Sequence, residues 1–315
     1  MKVNHIRQTF CPILAAMIWG TAFVAQSVSA EYVEPFTFNA ARSLIGFAVL
    51  LALSALFRRL RAAKGERPWQ QPGYRRDLIL GGVSCGAVLT LAANLQQKGM
   101  ETTASGKAGF ITALYIVIVP ILGIFFKKRA SWTVWISVGL AVAGLYLLCI
   151  QDGFSIAPGD FDILLCSVCF SVQILLIDYF AQRVDGVELS CVQLLTLTVL
   201  SAAGMAATES PSWEALHQCL WPLLYVGVFS SGVAYTLQIV AQKDANPTVV
   251  SLLLSLESVF ATLAGAVLLH DRMSGREYLG CALMLAAVIL AQLPAPGSRK
   301  EAAAARAADT SGIQG

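Results

Sequence analysis

GKAGFITALYIVIVPILGIFF, residues 106–126, is a run of 21 residues with one charged side chain, Lys107. An α-helix rises about 1.5 Å per residue, so such a run is about as long as the hydrocarbon core of a bilayer is thick. Nine other stretches are as apolar and nearly as long, and the links between them are short. The sequence therefore predicts an all-α polytopic membrane protein with ten transmembrane helices. The ten predicted segments are Phe10–Val28, Phe36–Phe57, Leu78–Gln97, Gly106–Phe126, Trp132–Ile150, Phe161–Gln182, Leu189–Ala207, Cys219–Gln242, Pro247–Leu269 and Tyr278–Leu293.

The overall composition agrees with a membrane protein. Hydrophobic residues make up 57% of the chain and charged residues 13%, whereas a soluble domain carries about 25% charged residues. The net charge is +3, and no basic stripe with interleaved aromatic residues indicates nucleic acid as a partner. No glycine-rich phosphate-binding loop occurs, so direct drive by ATP is not expected. The sequence predicts no cofactor and no metal.

The positions of the basic residues predict the orientation in the membrane. With the N-terminus placed in the cytoplasm, the inside segments hold 17 Lys and Arg residues and the outside links hold at most 4. Cytoplasmic loops carry an excess of Lys and Arg. We therefore expect both termini to lie in the cytoplasm.

The two halves of the chain resemble each other. Tyr115 to Gly144 and Glu257 to Ala287 both run as an apolar span, a short charged break and another apolar span. Five spans per half is an odd number, so the second half must enter the membrane from the opposite side, as in inverted-repeat transporters. The predicted units are a first five-helix repeat over residues 1–157, an inverted second repeat over 158–297 and a disordered cytoplasmic tail over 298–315.

Short motifs in both halves point to a family. They are Trp19-Gly20, Arg42, Phe110–Tyr115 (FITALY), Gly227–Tyr235 (GVFSSGVAY), Gln242-Lys243, Leu256–Ala261 (LESVFA), Leu268–Ser274 (LLHDRMS) and Tyr278–Gly280. Together they resemble the EamA group of the drug/metabolite transporter superfamily, over nearly the whole chain. The family usually has Glu where this chain has Asp271, and the comparable position in the first half is Lys128; we interpret this position as a structural helix end.

The resemblance implies a ten-helix carrier of small metabolites, amino acids among them, in a bacterial cytoplasmic membrane. Many members of the family are exporters. We therefore expect a secondary transporter that exports an amino acid or related solute by alternating access, as a monomer or homodimer, with protons as a possible coupling ion.

Ionisable groups inside the spans are the first candidates for function, because their burial is costly. Glu257 lies near the middle of the ninth span, where loss of hydration favours a protonated carboxyl group; this suits proton coupling. Arg42 offers a planar cation for a substrate carboxylate or phosphate. Both residues are also compatible with structural roles, including an ion pair with each other, and Glu257 is the stronger functional candidate of the two. Lys107 and Asp178 lie nearer the surface, which favours structural roles.

Uncharged polar and aromatic residues inside the spans complete the predicted cavity. Trp19, Tyr115 and Tyr235 are the strongest candidates, because all three lie within the motifs above. We add Gln173 and Asn94 to the predicted binding set, although polar groups within spans also bond across helices.

The alternative to a transporter is an intramembrane enzyme, such as a protease or a lipid-modifying transferase. It would need a nucleophile–base pair or metal ligands within the bilayer. The three histidines, His5, His217 and His270, all lie at span edges or in links. The sequence therefore predicts no catalytic residues, and a transporter is favoured.

Overall fold

A computed structural model describes residues 2–103, 105–125, 130–150, 158–243, 245–268 and 273–293. The predicted tail over 298–315, Lys128 and Asp271 lie outside the described residues.

The described residues contain ten helical segments that are long and apolar enough to cross a membrane, which confirms the predicted number. Seven segments are continuous helices, and the fourth, eighth and ninth are each built from shorter pieces. Large apolar side chains such as Phe125 and Ile289 lie on the outer surface, where a bilayer would cover them. The helices are α1 (Lys2–Ala30), α2 (Pro35–Ala63), α3 (Tyr74–Gly99), α4 (Ser105–Thr112), α5 (Tyr115–Phe125), α6 (Trp132–Cys149), α7 (Gly159–Phe180), α8 (Gly186–Thr208), α9 (Trp213–Gln218), α10 (Leu220–Tyr225), α11 (Tyr235–Gln242), α12 (Pro247–Leu254), α13 (Glu257–Leu268) and α14 (Gly275–Gln292).

Several helices begin at residues that satisfy their first backbone N–H groups. The Asp185 carboxylate accepts from two N–H groups at the start of α8. Asn246 accepts from Thr248 N at 2.9 Å and precedes a proline at the first helical position of α12. Ser274 and Glu277 form a reciprocal capping box at the start of α14. These capping residues fix where three of the membrane segments start.

Small residues allow corresponding helices of the two predicted repeats to pack closely. A Cβ atom added to Gly144 of α6 would lie 2.9 Å from the carbonyl oxygen of Gly280 in α14, and one added to Gly280 would lie 2.8 Å from that of Gly144. Only glycine permits this approach of two backbones.

Contacts between the halves follow a reciprocal pattern. Helix α1 packs against the eighth and ninth segments, and helix α7 packs against the third and fourth. Helix α2 packs against α8, and α6 packs against α14. This exchange of partners agrees with two five-helix repeats, and their inverted orientation stays a prediction.

The fourth and ninth segments are interrupted at equivalent positions. Helices α4 and α5 are separated at Ala113 and Leu114, and α12 and α13 at Ser255 and Leu256. The fourth segment is not interrupted at Pro120, because α5 continues through that residue. Interrupted helices near the midplane are where transporters bind their substrates.

Candidate functional site

A pocket lies in the interior, between α1, α2, α3, α7, the eighth segment and the two interrupted segments. It encloses about 490 Å³ of space free of protein atoms, part of which is open to solvent. Aromatic and aliphatic side chains around a few polar groups form its lining, which is typical of a small-molecule site. Five of the seven predicted binding residues line it: Trp19, Arg42, Tyr115, Tyr235 and Glu257.

Glu257 and Tyr115 connect the two interrupted segments. Each is the first residue of the second half-helix, Tyr115 of α5 and Glu257 of α13. The Tyr115 hydroxyl donates to Glu257 Oε1 at 3.0 Å, and the Glu257 side chain is 5% exposed. The N-terminal end of α13 adds a positive dipole beside the carboxylate. The residues that follow the two interruptions, Tyr115 and Glu257, therefore contact each other.

Arg42 is buried among neutral partners. Its Nε donates to Asn39 Oδ1 at 2.7 Å, and its Nη1 donates to Gln26 Oε1 at 3.1 Å. The guanidinium carbon lies 5.5 Å from the centre of the Phe38 ring. Arg42 and Glu257 line the same pocket without forming an ion pair with each other. A buried cation held by amides and an aromatic ring keeps its full charge available to an anionic group.

Trp19 and Tyr235 form an aromatic wall of the pocket. Their ring centres are 5.1 Å apart in an edge-to-face arrangement. Trp19 Nε1 also donates to the carbonyl oxygen of Ser230 at 3.3 Å. Ser230 lies in a π-helical stretch, Val226–Ala234, and such stretches occur often at functional sites. The wider turn leaves this carbonyl group able to bond a side chain from another helix.

Asn94 and Gln173 do not line the pocket. Asn94 Oδ1 accepts from Asn39 Nδ2 at 3.0 Å, so Asn94 supports the residue that holds Arg42. Gln173 bonds to Gln193 at 3.2 Å and to Gln238 at 3.4 Å. Both amides lie behind the pocket wall.

Sequence reasoning did not find several pocket residues. Gln26 and Gln96 lie near helix ends, where an amide is ordinarily assigned to the membrane interface. The sequence does not distinguish the apolar residues of the pocket from residues that only pack between helices. The residues missed are Phe23, Gln26, Gln96, Thr112, Phe170, Ile174, Ser230 and Leu254.

Lys107 and Asp178 lie away from the pocket lining. Lys107 forms an ion pair with Asp160, and Thr103 donates to the same carboxylate at 3.0 Å. This ties the start of the fourth segment to the start of α7. Among the described residues, no group of three or more His, Cys, Asp or Glu side chains is arranged to hold a metal ion.

Ten helices long and apolar enough to cross a membrane, arranged around an interior pocket, define a multi-pass membrane protein. The chain belongs to the EamA-like transporter family, whose model matches residues 9–150 and 157–293. This confirms the resemblance that the motifs indicated.

Relatives of the chain are named as transporters. An uncharacterized transporter of Archaeoglobus fulgidus is 30% identical over 286 residues, which cover 89% of this chain and 84% of the relative. An uncharacterized transporter of Synechocystis is 27% identical over 92% of this chain and 91% of its own length. A crystal structure of a protein with 21% identity matches with a TM-score of 0.74 over 90% of this chain and 96% of that one; it supports the fold alone.

Proposed function

We propose that this chain is a secondary transporter that exports an amino acid or a related small solute across the cytoplasmic membrane by alternating access. Both termini then lie in the cytoplasm, as the excess of Lys and Arg in the inside segments predicts. The observation that supports the substrate class is one pocket lined by a buried cation and a buried acid that do not pair with each other. Such a pocket complements a solute that carries both a carboxylate and an amine.

Arg42 is the proposed partner of the carboxylate. Asn39 and Gln26 hold its Nε and Nη1, which fixes the plane of the guanidinium group. A fixed planar group binds a carboxylate with two parallel hydrogen bonds, and little side-chain entropy is lost on binding.

Glu257 is the proposed partner of either the solute amine or a proton. Within the part of the chain that the structure describes, the Tyr115 hydroxyl is the one donor to the Glu257 carboxylate. A charged carboxylate is therefore buried with a single neutral donor, which is costly. A proton or an ammonium group would relieve that cost. Because the two compete for one carboxylate, proton entry would displace the solute, which is the exchange that a proton-coupled exporter requires.

The pocket offers little support for an intramembrane enzyme. Its described lining contains no histidine, cysteine or lysine, and its one carboxylate, Glu257, accepts from the Tyr115 hydroxyl and not from the serine or threonine of the lining.

The test is flux in proteoliposomes. Each of the twenty radiolabelled amino acids is supplied singly, with and without a pH gradient, to the wild type, to Glu257→Gln and to Glu214→Gln. Glu214 is an exposed acid in the short helix α9 and serves as the control. We expect at least one amino acid to move, the gradient to accelerate it, and Glu257→Gln alone to abolish the acceleration.

Unchanged gradient dependence in Glu257→Gln would remove the coupling role from this residue. Absence of flux for all twenty amino acids in folded protein would overturn the proposed substrate class.

A further inference from the structure

Four buried glutamines lie between the pocket and the end of α11. They are Gln173 of α7, Gln193 of α8, and Gln238 and Gln242 of α11, and we call them the amide cluster. Each is at most 2% exposed. Gln238 also lines the pocket, and Gln242 lies one helical turn further along the same face of α11.

Three members of the cluster form a chain of hydrogen bonds that begins at the pocket, and the fourth bonds to the backbone of α7. Gln238 Nε2 donates to Gln173 Oε1 at 3.4 Å, and Gln173 Nε2 donates to Gln193 Oε1 at 3.2 Å. Gln242 Nε2 donates to the carbonyl oxygen of Ile174 at 2.8 Å. The chain contains amides and no charged side chain.

Three polar atoms of the cluster have no hydrogen-bond partner among the residues that the structure describes. They are Nε2 of Gln193, Oε1 of Gln238 and Oε1 of Gln242. An amide buried without its partners destabilises the folded state, and apolar residues of similar size would fill the same space without that cost. Stability alone does not explain the cluster.

The cluster is closed off from the membrane face at which α11 ends. Arg7 and Gln8 of α1 both donate to the carbonyl oxygen of Lys243 at 3.4 Å. Gln182, just beyond α7, donates to the carbonyl oxygen of Gln242 at 3.4 Å. These bonds join α1, α7 and α11 at one end, which we call the Lys243 end.

We propose that the amide cluster is a second polar subsite, which the solute and its water contact when the Lys243 end opens. This inference rests on the proposed transport function. It extends the proposed solute pathway from the pocket to the Lys243 end, which is closed in this structure. Unpartnered amide donors and acceptors complement water and the uncharged hydroxyl, carbonyl and amide groups of a solute. Arg42 and Glu257 remain the proposed partners of the charged groups of the solute.

Access of water to the cluster is tested by thiol labelling, which needs no knowledge of the solute. Gln193→Cys and Gln242→Cys are made in a protein whose eight native cysteines are replaced by serine, reconstituted in nanodiscs and treated with 2-aminoethyl methanethiosulfonate. The control is Ile177→Cys, a fully buried residue of α7 that packs toward Tyr74 and Cys85. We expect both cluster cysteines to react at least tenfold faster than the control. Equal rates at all three positions would overturn the proposal.

A double variant, Gln173→Leu with Gln193→Leu, separates a subsite from structural bonding between helices. A subsite predicts that amino-acid flux falls at least tenfold while the midpoint of thermal unfolding is unchanged or raised. A lowered midpoint with unchanged flux per folded molecule would overturn the proposal.

The two proposals fail in different ways. Fast labelling of the cluster in a protein that moves none of the twenty amino acids would overturn the substrate class and support the water-filled subsite. Amino-acid flux in a protein whose cluster cysteines do not react would support the substrate class and overturn the subsite.

Discussion

Arg42 illustrates how neutral partners can hold a buried charge without pairing it with an acid. Its Nε and Nη1 bond to amide oxygens of two different helices, Asn39 of α2 and Gln26 of α1. Asn39 is itself held by Asn94 of α3. Three helices therefore determine where the guanidinium plane lies, and the proposed carboxylate partner would meet a group that is already oriented.

A conservative substitution tests this orientation. In Arg42→Lys the charge is kept, but one ammonium group cannot reproduce the planar fork that bonds both amides and a carboxylate. Loss of one charge-assisted hydrogen bond costs about 1.5–3 kcal/mol, so we expect KM for the transported amino acid to rise at least tenfold. The control is Arg59→Lys, an exposed position on the same helix. An unchanged KM in Arg42→Lys would show that the carboxylate binds elsewhere.

At the scale of single helices, the interruptions determine the site. A Cβ atom added to Gly20 of α1 would lie 2.6 Å from the carbonyl oxygen of Glu257 and 2.6 Å from Cβ of Phe260. Helix α1 therefore touches the first turn of α13, where Glu257 lies. The Trp19 side chain reaches the pocket from the neighbouring position in α1.

Two glycine substitutions should change stability in opposite directions. Gly20→Ala would force α1 and α13 apart, and overpacking of this kind costs about 1–3 kcal/mol. Gly139→Ala in α6 meets no atom within 4 Å and should stabilise its helix by about 0.5–1 kcal/mol, because alanine loses less backbone entropy. Thermal unfolding in detergent measures both. A midpoint for Gly20→Ala that matches or exceeds that of the wild type would contradict the close packing.

The sequence predicted the spans better than the breaks within them. Length and hydropathy identify a transmembrane segment, so all ten were found. The interruptions fall at Ala113–Leu114 and Ser255–Leu256, residue types that also occur within helices, so the sequence does not mark them. Asn94 and Gln173 were predicted to bind and lie behind the pocket wall, because the rotation of a helix depends on its neighbours, which an amide within a span does not reveal.

At the scale of the whole molecule, contacts at the ends of the helices suggest which parts move together. Helices α2 and α8 are bound at both ends. Glu209 accepts from Phe36 N at 2.8 Å and Thr37 N at 2.7 Å at one end, and Arg61 pairs with Asp185 at 2.7 Å at the other. At the Lys243 end, described residues of α1 and of the α7 end bond at 3.4 Å to backbone carbonyl oxygens at the end of α11. We therefore expect α2 and α8 to move as one unit, and the proposed subsite requires the Lys243 end to open.

Cross-linking with a short bis-methanethiosulfonate reagent distinguishes the moving contact from the fixed one. In a background without native cysteines, Gln8→Cys with Lys243→Cys would tie α1 to the end of α11 and hold the Lys243 end closed. Arg61→Cys with Asp185→Cys would join α2 to the start of α8, which move together. We expect the first cross-link to lower amino-acid flux at least tenfold and the second to lower it less than twofold. Reduction with dithiothreitol should break the first cross-link and restore flux. If the cross-link between positions 8 and 243 leaves the transport rate unchanged, the solute passes without opening the Lys243 end. If the cross-link between positions 61 and 185 blocks transport, α2 and α8 separate during transport.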